Sequence, residues 1–567
     1  MKSLTGLNMK QCICSFLLLL SFFARPAGAA DRQATVAGIP AKEALRLGEA
    51  MYQKGVLPSG QPLEAVFQGD LEVSGIMTAC SNCHRRSGLG GLEGGVLTPP
   101  TNGAKLYAPL LGPEDIPGSD MKRYMFKEPP RSAYTDETLA TALISGIDPT
   151  GRRMSETMPL YLLDEKEAKI MVFYLKNLSS QLSPGVTEDE IRFATILTDE
   201  VPPADKKAML LPLQASIREE WNVVNARFSQ LSAFTRQTGP MKTFRQASLD
   251  VWELKGPPAT WSNQLEEFYR KKPVFAILGG IVPGKWAPVH EFCEKNKIPC
   301  IFPLTDLPVV SGTDWYTLYF SEGFYQEGEA AAKYLSRVID LPPGKQIVQV
   351  FRDNDEGNAL VRGFADTWKK HGKATLVNRT ISAKEKTGVN FWKGLAATYP
   401  DAVMLVWLGS ADLAGIESLT EPGKQSTLFV SATMLGGALT ALPDKVRDFT
   451  FITYPTRLPD DGEYTRSIVT NWMQVKKIPL TNMAISSKTF FFTRLLTIAL
   501  LEVRENLYRD YFLDVLDDGK DEIYSSVTYP RLSFGPGQRY ASKGCYIVTL
   551  TKGESPKVVR QSEWVIY

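Results

Sequence analysis

Histidine is nearly absent from this chain: in 567 residues the only imidazoles are His84, His290 and His371. A metal-bearing group bound here therefore has few imidazole donors to draw on. There is also no excess of charge, with 64 Lys and Arg against 62 Asp and Glu. The net charge of +2 falls to about −1 if Lys2, Lys10 and Arg25 are removed with an amino-terminal leader, which excludes the basic surface that nucleic acid or anionic lipid requires. Solenoid-length repeats and low-complexity tracts are missing. At 44% hydrophobic and 22% charged residues the composition is that of a folded chain, long enough for two or more domains. Away from the amino terminus no apolar run is clean enough to span a bilayer. The stretch Phe490 to Leu501 is interrupted by Arg494 and flanked by Lys488 and Glu502, and it reads as a buried helix.

One long apolar run is present, Ile13 to Ala24, preceded by Lys2 and Lys10 and followed by Ala27-Gly28-Ala29. A basic start, an apolar centre and small residues before Ala30 predict a secretory signal over residues 1–29 and export to the periplasm. Cys12 and Cys14 would leave with it.

The most informative stretch that remains is Cys80-Ser81-Asn82-Cys83-His84. Two thiols two residues apart with histidine next is the spacing that attaches haem c, the thiols adding to the vinyl groups and the imidazole reaching the iron. A zinc site needs a second ligand pair at short spacing, and a thioredoxin-like pair does not require the histidine. One covalent haem is therefore expected on Cys80 and Cys83, with His84 axial. Pro99 or Pro100 could supply a carbonyl to the Nδ1 proton of His84 and fix the ring. The glycine-dense run Ser87 to Gly95 lacks the Lys-Ser/Thr of a phosphate loop and reads as a turn that lets backbone approach the haem edge. With His290 and His371 far along the chain, a methionine is the expected sixth ligand, the candidates being Met121, Met125, Met154, Met158 and Met171.

Met158 is followed by Pro159 and then by an amphipathic segment, Asp164 to Leu178, with Phe173 and Tyr174. CxxCH, then Met-Pro, then a closing helix resembles the class I cytochromes c. That resemblance implies a small all-α domain over residues 39–182, Met158 as the second axial ligand with Met154 next, and a last helix packed across the first. The 74 residues between His84 and Met158 exceed the spacing of a minimal cytochrome, so an insertion near Tyr107 to Tyr134 must loop out.

After Ser183-Pro184-Gly185 the pattern changes to short apolar runs alternating with amphipathic segments over residues 186–567. Strands are expected at Phe193–Leu197, Val274–Leu278, Cys300–Phe302, Ile347–Phe351, Val403–Trp407, Leu428–Val430, Phe449–Ile452 and Cys545–Leu550. Helices are expected at Ala204–Arg227, Trp286–Lys295, Glu327–Leu335, Glu356–Lys370 and Trp392–Tyr399. Alternation of this kind argues for parallel sheets covered by helices, and its length for two lobes. Ile191 to Thr198, Gly279-Gly280, Ile298 to Pro303, Gly328 to Leu335 and Val350 to Gly357 together resemble the type 1 periplasmic binding proteins, the branched-chain amino-acid receptor family. The resemblance implies two α/β lobes with a ligand cleft at the carboxyl ends of the strands. Ser321, Glu322, Tyr325, Asp353 and Thr433 are the candidate lining residues. Asp306 falls where a hydroxyl residue would meet a ligand carboxylate, which argues against a free amino acid.

Cys293 and Cys300 have a spacing compatible either with a local disulfide or with burial as two small hydrophobes. Asp514 to Glu522 lacks the alternating oxygen ligands of a calcium loop and reads as a solvated turn. The expected function is electron transfer by an exported monohaem cytochrome whose receptor-like portion binds a small ligand or docks a redox partner protein. The alternative is a small-molecule binding or sensing protein modulated by haem redox state. No enzyme activity, nucleic-acid partner or membrane span is expected.

Overall fold

Two helices far apart in sequence cross at Gly48. The computed structural model describes residues 35–566 apart from 68–69, 94–95, 111–128, 223–244, 339–340, 342–343, 373, 420–426, 518–526 and 535–537. The leader expected at residues 1–29, and Met121 and Met125, lie outside the described residues. Helix Ala41–Lys54 buries Ala44, Gly48, Met51 and Tyr52 along one stripe and ends at Gly55, whose φ of 61° is the usual left-handed stop. Helix Glu165–Asn177 begins with a capping box between Asp164 and Glu167. A Cβ at residue 48 would lie 2.4 Å from the Tyr174 Cβ, so this crossing requires glycine. Beside it the rings of Tyr52 and Tyr174 sit 5.4 Å apart.

The core around this crossing draws on Met51, Tyr52, Leu63, Cys80, Leu139, Tyr161, Ile170 and Leu175, all from residues before the Ser183 connector. It is not purely helical. Glu64–Phe67 pairs antiparallel with both Leu71–Ser74 and Leu160–Tyr161, which corrects the all-α expectation. The cause is local: Val66, Phe67 and Val73 favour extended backbone.

The connector is seated rather than loose. The Ser183 N–H donates to the Leu507 carbonyl, and the Ser183 hydroxyl accepts from the Arg509 N–H. Gly185 has a φ of 91°, and a Cβ there would stand 2.1 Å from the Phe275 nitrogen.

Beyond it lie two sheets. The first is parallel, ordered 317–318, 300–301, 276–278, 190–198, 246–254. The second runs 375–381, 346–352, 403–407, 428–431 and 450–454 in parallel, then 544–550 and 558–560 antiparallel. The chain passes between the two lobes three times, near residues 319–324, 455–462 and 539–544. The first and third passes run together, with Ala541 donating to Tyr319 and Ser542 to Phe320.

The strands read from apolar runs all appear, within three residues at their ends. Two long strands were missed, Gln246–Leu254 and Thr375–Ile381, beside the short Thr317–Leu318, Val558–Arg560 and Val565–Ile566. Both long ones are edge strands, half exposed and carrying Asp250, Glu253 and Arg379, so they present no continuous apolar run. The long helix expected from Ala204 contains Pro212. It is α-helical over Pro203–Ala215 and widens to a π-helix over Ser216–Trp221, as a proline that cannot donate inside a helix encourages. Helix Met483–Val503 is, by length and composition, apolar enough to cross a membrane. In the fold its Phe491, Phe492, Leu495, Leu496, Leu500 and Val503 pack into the first lobe's core.

Candidate functional site

The sequence marks two places, the motif at Cys80 to His84 and the cleft between the lobes. The motif forms a short helix, Ser81–His84, with Cys80 buried before it and Cys83 exposed on it. The Cys80 sulfur lies 3.3 Å from the Tyr161 hydroxyl. Burial pushes the Cys80 thiol up to about 11 against the opposing pull of that hydroxyl, so it stays protonated at neutral pH. His84 is buried, and its Nδ1 is 2.8 Å from the Pro99 carbonyl. A carbonyl can only accept, so Nδ1 carries the proton and Nε2 is left with its lone pair and no protein partner among the described residues. Burial holds the imidazole below its ordinary pKa, opposed by the Pro99 bond.

The glycines of the following loop have a definite task. At Gly90, φ is 69° and a Cβ would stand 2.1 Å from the Thr98 oxygen, so only glycine lets the loop close on the segment that presents Pro99. Arg85 takes a left-handed φ of 63°, rare for a branched or long side chain, and its carbonyl accepts from Tyr52 at 2.8 Å. Met154 and Met158 are both partly buried against the core that contains Cys80, and Met171 is inside that core. Among the described residues no group of three or more His, Cys, Asp and Glu side chains is placed to hold a metal ion, so the second pair a zinc site needs is not found there.

Residues just past His84 meet the receptor portion. The Ser87 N–H donates to a carboxylate oxygen of Asp514 at 3.1 Å. Asp514 is therefore not in a solvated turn. It lies buried on helix Arg509–Asp517, and burial, opposed by Ser87, pushes its carboxyl up to about 7. The apolar spacing Phe512, Leu513, Val515, Leu516 was the signal that this acidic stretch begins inside a helix. Lys297 also pairs with Glu49 across this boundary.

The five cleft candidates separate into groups. Glu322 is buried in the first pass between lobes, beside Glu329 and Tyr540, and burial raises its carboxyl. Glu329, desolvated and next to Glu322, is pushed up to about 9, so the two carboxyls hold a proton between them at neutral pH. Tyr325 donates to Asp366 at 3.2 Å and lies under Arg362. Asp353 is exposed and accepts from Asn358. These belong to the hinge and to helix surfaces. Ser321 spends its hydroxyl on the Gly323 N–H. Thr433 is on the other side, among the carboxyl ends of the second sheet's strands, next to Glu327.

Glu327 was not among the candidates. It is fully buried, takes a 2.6 Å hydrogen bond from Thr453, and is pushed up to about 7 by burial, against bonds from Thr433, Thr453 and Ser431. In the first lobe the Lys488 ammonium lies 5.8 Å from the Phe320 ring and 5.7 Å from the Tyr529 ring. Tyr529 and Asp306 favour its charged form against the cost of burial. Lys488 was visible in the sequence only as a flank of an apolar run. The hydroxyls around Glu327 sit at strand ends, where such polar groups serve a cleft. At the mouth, Lys285 of the first lobe pairs with Asp355 of the second at 2.6 Å. Cys293 and Cys300 are both fully buried and face each other as thiols.

Two parallel-stranded lobes, three passes between them and polar groups gathered at strand ends define a two-lobed α/β binding protein. The model of the periplasmic binding protein family matches residues 244–554, more than half of the chain, and the chain belongs to that family. Its solved likenesses include an ABC transporter substrate-binding protein from Sphaerobacter thermophilus, at 12% identity and TM-score 0.47, covering 67% of this chain and 98% of that one. A leucine binding protein from Thermotoga maritima has 12% identity and TM-score 0.43, with 66% and 99% covered. A branched-chain amino acid transporter substrate-binding protein from Streptococcus pneumoniae, in complex with isoleucine, has 14% identity and TM-score 0.43, with 66% and 100% covered. No curated protein sequence matches the chain.

Proposed function

We propose that this chain is an exported binding protein that carries one covalently attached haem, holding a ligand cleft and a redox centre in one molecule. The observation that carries the haem is the His84–Pro99 hydrogen bond, which fixes the ring with Nε2 as the remaining donor in the residue that follows CxxC. Cys80 and Cys83 supply the two thioether attachments. Met158 is the assigned second axial ligand, with Met154, packed on the same core, as the substitute. When bound, such a haem exchanges single electrons at a potential that a thioether ligand raises. The chain's own residues exclude water from His84 and hold its tautomer. The crossing of the first and last helices at Gly48 supports the same reading.

The ligand proposed is a small polar molecule rather than a simple amino acid. Glu327, with its carboxyl near neutrality, offers a proton donor or acceptor, and Lys488 offers a cation above an aromatic wall. Together they suit a compact molecule bearing an anionic group and a hydrogen-bonding group. A second reading, docking of a redox partner protein, is favoured by Ile76 and Met77, which are 61% and 68% exposed beside the motif.

Mass spectrometry of the denatured, periplasmically matured protein tests the haem. One haem should remain attached, and Cys83→Ala should release it or leave a single attachment. Met158→Ala should abolish the methionine-to-iron absorption band, while Met154→Ala should keep it; a haem-free protein would refute the proposal.

A further inference from the structure

Arg86, two residues past His84, and Arg539, in the third pass between the lobes, both lie over the indole of Trp315, at 4.4 and 3.7 Å from its ring centroid. Two guanidinium groups converging on one indole repel each other, and each has an acidic counterpart on helix Arg509–Asp517. Arg86 approaches Asp510 at 4.0 Å, and Arg539 binds Asp517 through both terminal nitrogens, at 3.1 and 2.6 Å. Tyr316 also donates to Asp510, and Asp514 on the same helix holds the Ser87 N–H.

Each end of this set is anchored. Trp315 is tied to the first lobe by its backbone N–H on Glu294, whose carboxylate also accepts from the backbone N–H groups of Tyr316 and Thr317. Arg539 is part of the hinge: its carbonyl accepts from the Tyr319 N–H, and Gln326 reaches Gly544 a few residues on. Arg86 is bound to the histidine by a short strapped loop, in which Gly90 donates to the His84 carbonyl and Tyr52 to the Arg85 carbonyl. A continuous path of contacts thus joins the backbone about which the lobes turn to the loop that carries His84.

We propose that Trp315, with Arg86 and Arg539 over it, is a positioning device that couples opening and closing of the lobes to the surroundings of His84. The argument is electrostatic and geometric. Turning about the passes near 319–324 and 539–544 displaces Arg539 relative to Trp315, and a cation held over a partly buried indole resists that displacement. Arg86, sharing the indole and the acidic helix, moves with it and changes the field at His84. Coupling of this kind is reciprocal: a closed form that prefers one redox state tenfold shifts the midpoint by about 59 mV for one electron, and that redox state favours closure by the same factor. The redox arm rests on the haem reading above; the conformational arm does not.

The test locks the lobes without needing a ligand. Lys285 and Asp355 form an exposed pair across the cleft mouth, so Lys285→Cys with Asp355→Cys, joined by a short bismaleimide, holds the closed form in the full haem-bearing chain. Cys293, Cys300 and Cys545 are buried from the reagent. Locking should shift the midpoint potential in the native background, and Trp315→Leu or Arg86→Gln should each reduce that shift to less than a third without changing the low-spin spectrum. Arg86→Gln covers the case in which Trp315→Leu does not fold. An equal shift in both variants, or no shift in the native background, overturns the proposal.

Hydrogen exchange of the 84–91 peptide, measured in the same proteins and in a Cys80→Ala, Cys83→Ala chain, separates the two readings. A response to locking in a native Cys80, Cys83 chain found to bear no haem sinks the haem assignment and leaves the coupling standing. A haem-bearing protein in which neither exchange nor potential responds sinks the coupling.

Discussion

Asp514 shows how a single residue can escape a sequence reading. Its neighbours Asp510, Asp517 and Asp518 make the stretch look solvated, yet it is buried against the backbone of a loop more than four hundred positions earlier, and no local pattern records that pairing. The physical consequence is measurable. Its carboxyl rises from 3.8 to about 7 on folding, chiefly through desolvation, so the folded state holds this proton more tightly than the unfolded one. The stability it contributes is complete below pH 4 and is lost as pH rises to about 7, by at most about 4 kcal/mol. The charged groups that modulate it are Asp510 and Asp517 on its own helix, both of which raise it further, and the Tyr52 phenol of the first helix lies within electrostatic reach. Asp514→Asn should flatten stability between pH 4 and 7, read by urea denaturation at a series of pH values; an unchanged profile would assign the proton elsewhere. His84 gives the opposite lesson, since the motif and the Pro99–Pro100 pair together announced its partner, and only the choice between the two carbonyls needed three dimensions.

At the scale of elements, legibility followed burial. Val403–Trp407 is covered on both faces and was read to the residue, because a central parallel strand has to be apolar throughout. The edge strands Gln246–Leu254 and Thr375–Ile381 were invisible, since their exposed residues break the run. The cleft was legible as a place but not as a residue set: of the five candidates Thr433 stands with Glu327, whereas Glu322, Tyr325 and Asp353 serve the hinge and helix surfaces. Glu327 sits in a helical stripe where sequence alone shows only an ordinary charge. The helix crossing at Gly48 yields a sharper prediction. A side chain there would drive Tyr174 aside, so Gly48→Val should destabilise residues 35–182 by about 1–3 kcal/mol, and Gly48→Ala by less. Hydrogen exchange of the 41–54 and 165–177 peptides, beside peptides from the receptor region, checks whether the loss is confined to that region. At Glu327, Glu327→Gln keeps the shape and the Thr453 contact, so ligand capture in a small-molecule thermal-shift screen should lose its dependence on pH near 7 while the fold is retained.

The whole molecule is held by cores that do not mix and a boundary that is largely polar. The core around the Gly48 crossing draws only on residues before Ser183, and the lobe cores only on residues after it. What joins them is Ser87 on Asp514, Lys297 on Glu49, Arg86 beside Asp510 and Trp315, and Ser183 on the Leu507–Arg509 segment. Separate cores predict that residues 183–567 fold when produced alone, because no large apolar surface is uncovered by the cut. The boundary predicts what that fragment loses. Without the loop over it, Asp514 meets water and its carboxyl returns toward 3.8, so the rise in proton affinity on folding disappears. The isolated fragment should then show the flattened pH 4–7 stability profile of Asp514→Asn in the full chain, and adding Asp514→Asn to the fragment should change nothing further. Urea titrations of the four proteins decide it. A fragment that keeps the native slope would mean that the desolvation of Asp514 comes from its own lobe, and that the amino-terminal region rests on the receptor without setting its charge.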